Sequence, residues 1–159
     1  MDLSAVGALG SVTADWAVLL ALCVLIALDT YRSGPGRASA IILSLPTALF
    51  LYQLLPSAAF VGSVTSVSMP VFDAFLFLLI AGGMYLLMRR MDMSYGAGSL
   101  MQGVMAGVAV DSALTVVWLE VPALDSVWHF GEQVRAIFSE SYRLWWLLGA
   151  FVAIAFVRS

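Results

Sequence analysis

Residues 97–119 read AGSLMQGVMAGVAVDSALTVVWL, a run of 23 residues in which Asp111 is the one charged side chain. A helix of about 20 apolar residues crosses the hydrocarbon core of a bilayer, so this run predicts a transmembrane span. An aspartate that faced lipid at the centre of such a span would cost about 3 kcal/mol. We therefore expect Asp111 to face protein or water.

Glycines leave one face of this predicted helix without bulky side chains. Gly103 and Gly107 precede Asp111 at four-residue intervals, so the three residues lie along one face. A Gly-x-x-x-Gly pair removes side-chain bulk and lets a neighbouring helix approach closely. We expect Gly103 and Gly107 to form a helix-packing face, with Asp111 held at the same interface.

Two interpretations of Asp111 follow from this position. It is either a proton or cation site, or a neutral carboxyl that forms a hydrogen bond between two helices. The expected partner is an arginine, the hydroxyl of Ser112 or Thr115, or a backbone carbonyl of the second predicted span. Pro46 lies near the centre of that span and is expected to kink it.

The composition indicates an integral membrane protein. Of the 159 residues, 62% are hydrophobic and 11% are charged, whereas soluble domains carry about 25% charged residues. The net charge is −3 and every base is an arginine, with no basic cluster larger than Arg89-Arg90. This charge pattern argues against a nucleic-acid partner. The single cysteine, Cys23, is interpreted as a packing residue in the first apolar run.

The hydropathy pattern predicts a single membrane domain over residues 1–159, an all-α, polytopic transmembrane helix bundle. The predicted spans cover about residues 13–31, 38–55, 70–88, 97–119 and 143–157. The last is short for a full crossing, so four spans plus a shallow final helix is the alternative. Residues 56–69 are uncharged and serine-rich, which predicts an interfacial loop, with a re-entrant loop lining a cavity as the alternative.

Residues 124–142 differ from the spans because polar and apolar side chains separate onto two helical faces. The apolar stripe comprises Val127, Phe130, Val134 and Phe138, and the polar face carries Asp125, His129 and Glu132. This pattern predicts one amphipathic helix lying in the membrane interface. We interpret its polar face as solvated rather than as a metal site, because His129 is the only histidine.

The sequence contains no catalytic motif of the kind that identifies a hydrolase, a phosphate-binding loop or a zinc protease. One histidine also rules out a multi-imidazole metal site or a bis-histidine haem within one chain. We therefore predict no catalytic residue, no cofactor and no metal, and expect that the protein is not an enzyme.

The arginines predict the orientation in the membrane. If the five spans alternate in direction, one side carries Arg32, Arg37, Arg89, Arg90 and Arg158. The other side carries only Arg135 and Arg143. Because cytoplasmic loops are enriched in basic residues, the N-terminus is expected outside and the C-terminus in the cytoplasm.

Three acids near the ends of the spans are interpreted as structural residues of the helix ends rather than as functional groups. Asp29 lies three residues before Arg32, so a local ion pair is expected. Asp15 and Asp73 are expected in the first turns of their helices, where the helix dipole favours an acid.

The order of several sequence features along the chain is similar to that in a known protein family. Asp15-Trp16 opens the first span, the turn YRSGPGR at residues 31–37 leads into the second, and Arg89-Arg90 close the third. Gly98 through Gly107 begin the fourth, and a tryptophan-containing stretch around Trp128 follows. Over Asp15 to Phe138 this layout resembles the colicin V production protein family of small bacterial inner-membrane proteins. The resemblance implies a role in secretion or envelope maintenance, with channel-like activity, and transfers no catalytic residue.

The predicted function is that of a non-enzymatic accessory or scaffold subunit of a membrane complex in the bacterial inner membrane. The expected partners are the lipid bilayer and either further copies of the chain or other membrane subunits, since the small-residue face suits helix association. The alternative is a channel or transporter subunit for protons, ions or small solutes that uses Asp111 and residues 63–68. A third and more distant class is an intramembrane enzyme or cofactor-bearing subunit that uses His129.

Overall fold

The computed structural model describes residues 3–55, 70–91 and 98–158, with side chains from residue 14 to residue 157 within those ranges. Seven helices make up the described chain: α1 Leu3–Ser33, α2 Gly36–Leu54, α3 Pro70–Met91, α4 Leu100–Glu120, α5 Pro122–Asp125, α6 Glu132–Ile137 and α7 Glu140–Arg158. No residue in these ranges is in a strand. The predicted all-α class is therefore confirmed, and the predicted loop at residues 56–69 lies outside the described residues.

Five helices are long and apolar enough to cross a membrane. These segments are Ala14–Ser33, Gly36–Leu54, Pro70–Met91, Leu100–Glu120 and Glu140–Val157. The chain is thus a multi-pass helix bundle, and its length and composition support five spans over four. The fifth segment begins at Glu140, before the predicted start at residue 143, and its 18 residues reach about 27 Å.

Helix α4 lies at the centre of the bundle. It packs against α1, α2 and α7, whereas α3 packs mainly on α2. In its apolar segment 56% of the residues are buried, against 11% in α3. The physical reason is its small residues, because Ala106, Ala109 and Ala113 are buried on faces other than that of Gly103 and Gly107. Several neighbours can therefore approach α4 at once.

The glycine face of α4 packs against α1 in the same chain. A Cβ at Gly103 would lie 2.7 Å from the carbonyl oxygen of Ala27, and one at Gly107 would lie 2.7 Å from that of Cys23. The two helices run antiparallel, since later residues of α4 meet earlier residues of α1. The predicted packing face is confirmed, but because α1 already covers it, it gives no support to a homo-oligomer.

The α1–α2 turn corrects one predicted ion pair. Gly34 adopts a φ of 80°, a left-handed conformation that glycine permits, and reverses the chain within three residues. The reversal brings Arg37 to Asp29, with Nη1 2.7 Å from Oδ1. The expected partner Arg32 was wrong, because the tight turn returns the start of α2 to the last turn of α1.

Helix ends meet at the same end of the bundle as this turn, called here the arginine end. Ser99 caps α4 in a reciprocal pair of hydrogen bonds with Gln102. The side-chain amide of Gln102 also donates to the backbone carbonyl of Val157 at 2.9 Å. The backbone N–H of Gly98 donates to the backbone carbonyl of Tyr31 at 3.2 Å. These bonds join α4 to α7 and α1 respectively.

The predicted single amphipathic helix over residues 124–142 is wrong. The chain forms the short helices α5 and α6, separated by a turn, and α7 begins at Glu140. Extended backbone at Gly131 (ψ 166°) and a non-helical Phe138 (ψ 37°) break the helix on either side of α6. The breaks let three apolar side chains turn into the bundle, so Phe130, Val134 and Phe138 are buried. We call residues 121–139 the ledge.

The ledge covers the opposite end of the bundle. Its buried side chains form a small core with Leu19 of α1 and Val116 of α4. Val127, which was predicted on the apolar stripe, is instead 59% exposed. The end is called the tryptophan end, because all five tryptophans lie there: Trp16, Trp118, Trp128, Trp145 and Trp146.

Candidate functional site

Asp111 lies near the middle of α4, which runs from Leu100 to Glu120. It follows Gly107 by one turn, on the side of α4 that meets α1. Its Oδ1 is buried and accepts no hydrogen bond from any described residue. Among the buried side-chain nitrogen and oxygen atoms of the described residues, it is the one without a partner.

The two predicted hydroxyl partners bond elsewhere. Ser112 Oγ donates to the carbonyl of Val108, and Thr115 Oγ1 donates to the backbone carbonyl of Asp111, both at 2.8 Å. In a helix the carbonyl four residues earlier lies within reach of a serine or threonine hydroxyl, so the local bond competes successfully with the carboxyl. The predicted carboxyl–hydroxyl pair is therefore wrong, and neither an arginine nor a carbonyl of α2 replaces it.

The surroundings of Asp111 on the α1 side are apolar. Cys23 packs against the glycine face, with its Sγ 3.2 Å from the position of a Cβ at Gly107. A buried acceptor that loses its hydrogen bonds costs about 1–3 kcal/mol. The chain alone thus leaves Asp111 at an energetic disadvantage.

A groove lies between α4 and α7. Its cavity measures about 350 Å³. Its lining includes Val104, Val108 and Ser112 from α4, with Trp146, Gly149 and Ala153 from α7. Val104 and Val108 are each 52% exposed, so α4 reaches the bundle surface here. Asp111 is partly exposed and follows Val108 and precedes Ser112 in sequence, but it is not among the residues that line this α4–α7 groove.

A second cavity of about 300 Å³ lies between α2, α3 and α4. Apolar side chains such as Leu45, Phe77 and Leu114 dominate its lining, with Ser44 and Tyr85 among them. It contains no carboxyl group.

The ledge brings together part of the predicted polar face. Arg135 Nη2 lies 2.5 Å and 2.7 Å from the two carboxylate oxygens of Asp125. His129 Nδ1 lies 3.2 Å from Asp125 Oδ2. Glu132 is exposed and stands apart from this cluster. Within the described residues no three His, Cys, Asp or Glu side chains converge in a way that could hold a metal ion.

Asp15 is a structural residue that the sequence reasoning misplaced. It is only 4% exposed, and its carboxylate accepts the backbone N–H of Gly131 at 2.6 Å and the indole N–H of Trp128 at 3.2 Å. Asp15 does lie at the start of the first span, Ala14–Ser33. The predicted stabilisation by the helix dipole was wrong, because α1 already begins at Leu3. Its hydrogen-bond partners are more than a hundred residues away in sequence, so no local sequence pattern could predict them. Asp73 does lie in the first turn of α3, as predicted.

Tryptophan N–H groups also fasten the ledge. Trp118 donates to the carbonyl of Trp128, and Trp146 donates to that of Ile137, both at 3.0 Å. Arg143 pairs with Glu120 at 2.5 Å and joins α7 to the end of α4. The ledge is thus tied to α1, α4 and α7 by polar contacts as well as by its apolar core.

Comparisons with known proteins do not add to this geometry. No family model matches the chain, and neither a curated protein nor a solved structure matches it. The resemblance to the colicin V production protein family therefore stays a prediction. The conclusions about function depend on the intramembrane acid and the ledge.

Proposed function

We propose that the protein is a non-enzymatic accessory subunit of a membrane complex and binds another membrane protein through its spans. The observation that carries this proposal is the buried Oδ1 of Asp111, which no described residue satisfies. A polar group at this depth is normally paired with another protein group, because lipid tails offer no hydrogen bonds.

Comparison with Asp15 supports an outside partner for Asp111. Asp15 lies at the tryptophan end of the segment Ala14–Ser33, and both of its carboxylate oxygens accept hydrogen bonds from the ledge. The fold is therefore able to satisfy a buried acid. At Asp111 it leaves Oδ1 unbonded.

The setting we propose is the bacterial inner membrane. The arginine end carries Arg32, Arg37, Arg89 and Arg90, and both arginines of the tryptophan end are paired with acids. The enrichment of basic residues on the cytoplasmic side favours a cytoplasmic arginine end and an external ledge. A role in secretion or envelope maintenance, which the family resemblance implies, fits such an exported ledge on a membrane subunit.

A channel or transporter subunit is the second candidate, because a partly exposed carboxyl at mid-membrane suits proton or cation binding. Conduction also needs a polar or hydrated route on both sides of such a site. The α4–α7 groove is lined by valine, alanine, glycine, methionine and tryptophan, with Ser112 the one hydroxyl. The described structure therefore supports the binding role better than the conducting one.

The proposal is tested by measuring the size of the assembly in the cell's own membrane. Chemical cross-linking followed by solubilisation in mild detergent should give a species larger than the 17.0 kDa chain, and Asp111→Leu should reduce its amount. A chain that remains monomeric under both treatments would contradict the subunit role. In purified vesicles, proton flux that Asp111→Asn abolishes while assembly is unchanged would instead favour the channel.

A further inference from the structure

We infer that the cavity between α2, α3 and α4 binds one acyl chain of an anionic phospholipid, and that Arg89 binds the phosphate of the same lipid. Lipid binding goes beyond the subunit role proposed above and does not depend on it. Three features of the molecule support it: the size and lining of the cavity, the position of Tyr85 and Arg89 on one face of α3, and the unpaired guanidinium of Arg89.

The cavity is too small for a helix. Its volume is about 300 Å³, whereas one turn of a helix about 10 Å across and 5.4 Å long occupies roughly 400 Å³. Large side chains line it, among them Phe77 on α3 with Leu114 and Trp118 on α4. Close helix packing in membranes instead uses small residues. An acyl chain is the apolar group that a bilayer supplies in a form thin enough to enter.

The cavity is open to the surface along α3. Leu78 is 55% exposed although it belongs to the lining. Gly82 is exposed too, and a Cβ placed there would meet no atom within 4 Å. Leu124 of α5 belongs to the lining at the tryptophan end, and Tyr85 is the lining residue of α3 closest to the arginine end. An acyl chain in the cavity therefore runs from the arginine end toward the ledge.

The cavity-lining face of α3 continues to Arg89. Leu78, Gly82, Tyr85 and Arg89 follow one another at helical spacing, so they lie on one face. Arg89 does not line the cavity itself, because it lies one turn beyond Tyr85 and two residues before α3 ends at Met91. Its backbone is about 6 Å closer to the membrane surface than that of Tyr85.

This separation corresponds to the headgroup region of a lipid. The interfacial layer is about 5–7 Å thick on each side of the hydrocarbon core. A phosphate bound by Arg89 therefore places the glycerol esters at the level of the Tyr85 hydroxyl, which can donate to an ester carbonyl. The acyl chain below the esters then lies at the level of the cavity.

The charge of Arg89 determines which lipid is preferred. Its side chain is exposed, and no described acid lies within ion-pair distance of it. Arg37 on α2 is instead paired with Asp29. A guanidinium binds phosphate through paired, charge-assisted hydrogen bonds, and basic residues at the ends of membrane helices attract anionic lipids. An unpaired arginine at this end of the cavity therefore favours an anionic phospholipid over a zwitterionic one.

Native mass spectrometry of the purified full chain in mild detergent tests the lipid site. The chain is titrated separately with phosphatidylglycerol and with phosphatidylcholine of the same acyl chains, and the lipid-bound fraction gives an apparent Kd for each. We expect phosphatidylglycerol to bind about tenfold more tightly, the effect of one charge-assisted contact. Glycerol phosphate, which has no acyl chain to bury, should bind roughly a hundredfold more weakly still.

Two pairs of neighbouring residues locate the site. Arg89→Gln should remove most of the preference for phosphatidylglycerol. Arg90→Gln is its control, because Arg90 is also exposed without an ion pair to a described acid but lies about 100° around α3. Gly82→Leu should weaken binding of both lipids about tenfold by filling the cavity. Gly83→Leu is its control, because a Cβ at either glycine meets no atom within 4 Å and only Gly82 lines the cavity. Unchanged helical circular dichroism verifies that each variant retains the fold.

Several results would overturn the lipid site. Equal affinity for the two lipids would remove the phosphate contact, and equal losses in Arg89→Gln and Arg90→Gln would assign the preference to the general charge of the arginine end. Equal effects of Gly82→Leu and Gly83→Leu would place the acyl chain outside the cavity. Glycerol phosphate that binds as tightly as phosphatidylglycerol would indicate a site for soluble phosphates. Loss of the cross-linked assembly in cells with Gly82→Leu, but not with Gly83→Leu, would show that a partner protein occupies the cavity.

Discussion

Replacing Asp15 with alanine is expected to release the ledge from α1. The substitution removes the acceptor of two hydrogen bonds, one from the backbone of Gly131 and one from the indole of Trp128. Neither donor has an equivalent acceptor in the shortened side chain. The ledge keeps its apolar core, so we expect local loosening rather than loss of the five membrane helices.

The size of the effect follows from the two bonds. The short bond from Gly131, at 2.6 Å to a carboxylate, should contribute about 1.5–3 kcal/mol. The indole bond is longer, at 3.2 Å, and Trp128 is 42% exposed, so its N–H can bond to water after the change. We assign it about 0.5–1 kcal/mol. The sum is about 2–4 kcal/mol, and Asp15→Asn should lose less because its amide oxygen can still accept from Gly131.

Hydrogen exchange measured by mass spectrometry on the protein in lipid nanodiscs tests this reasoning. A loss of about 3 kcal/mol corresponds to roughly hundredfold faster exchange of amides in α6, while exchange in the middle of α4 should stay unchanged. Glu132→Ala is the matched control, because this acid is exposed on the ledge itself. Equal exchange of α6 in Asp15→Ala and Glu132→Ala would refute the assignment of Asp15 as the residue that holds the ledge.

The remaining predictions concern the centre of the bundle and the end of α7. Asp111→Leu should raise the free energy of unfolding of the isolated chain by about 1–3 kcal/mol, because it removes an unsatisfied buried oxygen. Denaturation in SDS–detergent mixtures measures this free energy, and a decrease would contradict the prediction. Gly107→Leu should lower the same free energy by about 1–3 kcal/mol or more, since its Cβ would lie 2.7 Å from backbone of α1, whereas Gly83→Leu should change it little. Arg143→Gln should cost at most about 1 kcal/mol, because Glu120 is 39% exposed in its side chain, and a larger loss would show that water screens the pair poorly.

The sequence predicted the central features of the membrane core correctly. Apolar runs long enough to cross a bilayer identified the helices, and the spacing of Gly103 and Gly107 identified a packing face. Asp111 was recognised as the unusual residue for the same reason, since the cost of a charge in hydrocarbon depends only on its position along an apolar run. Hydropathy, glycine spacing and the position of a charge are local properties, so they can be read from the composition and spacing of residues.

The candidate site was predicted only in part. Its acid was found, but Ser112 and Thr115 were wrongly expected to bond to the Asp111 carboxyl. Spacing alone cannot rank a side-chain acceptor against the carbonyl one turn earlier. The groove between α4 and α7 was not foreseen either, because it depends on how α7 lies against α4.

The tertiary structure decided which distant groups meet. The ledge was predicted as one helix from its amphipathic period, yet it breaks at Gly131 and Phe138 so that three apolar side chains can enter the bundle. Asp15 bonds to Gly131 across 116 residues, a pairing created by the packing of α1 beneath the ledge. The sequence by itself determined that five apolar helices form and that a carboxyl lies among them. Only the packing of those helices determined that Asp15 is satisfied within the chain and that Asp111 is not, because hydrogen-bond partners so far apart are selected by three-dimensional proximity.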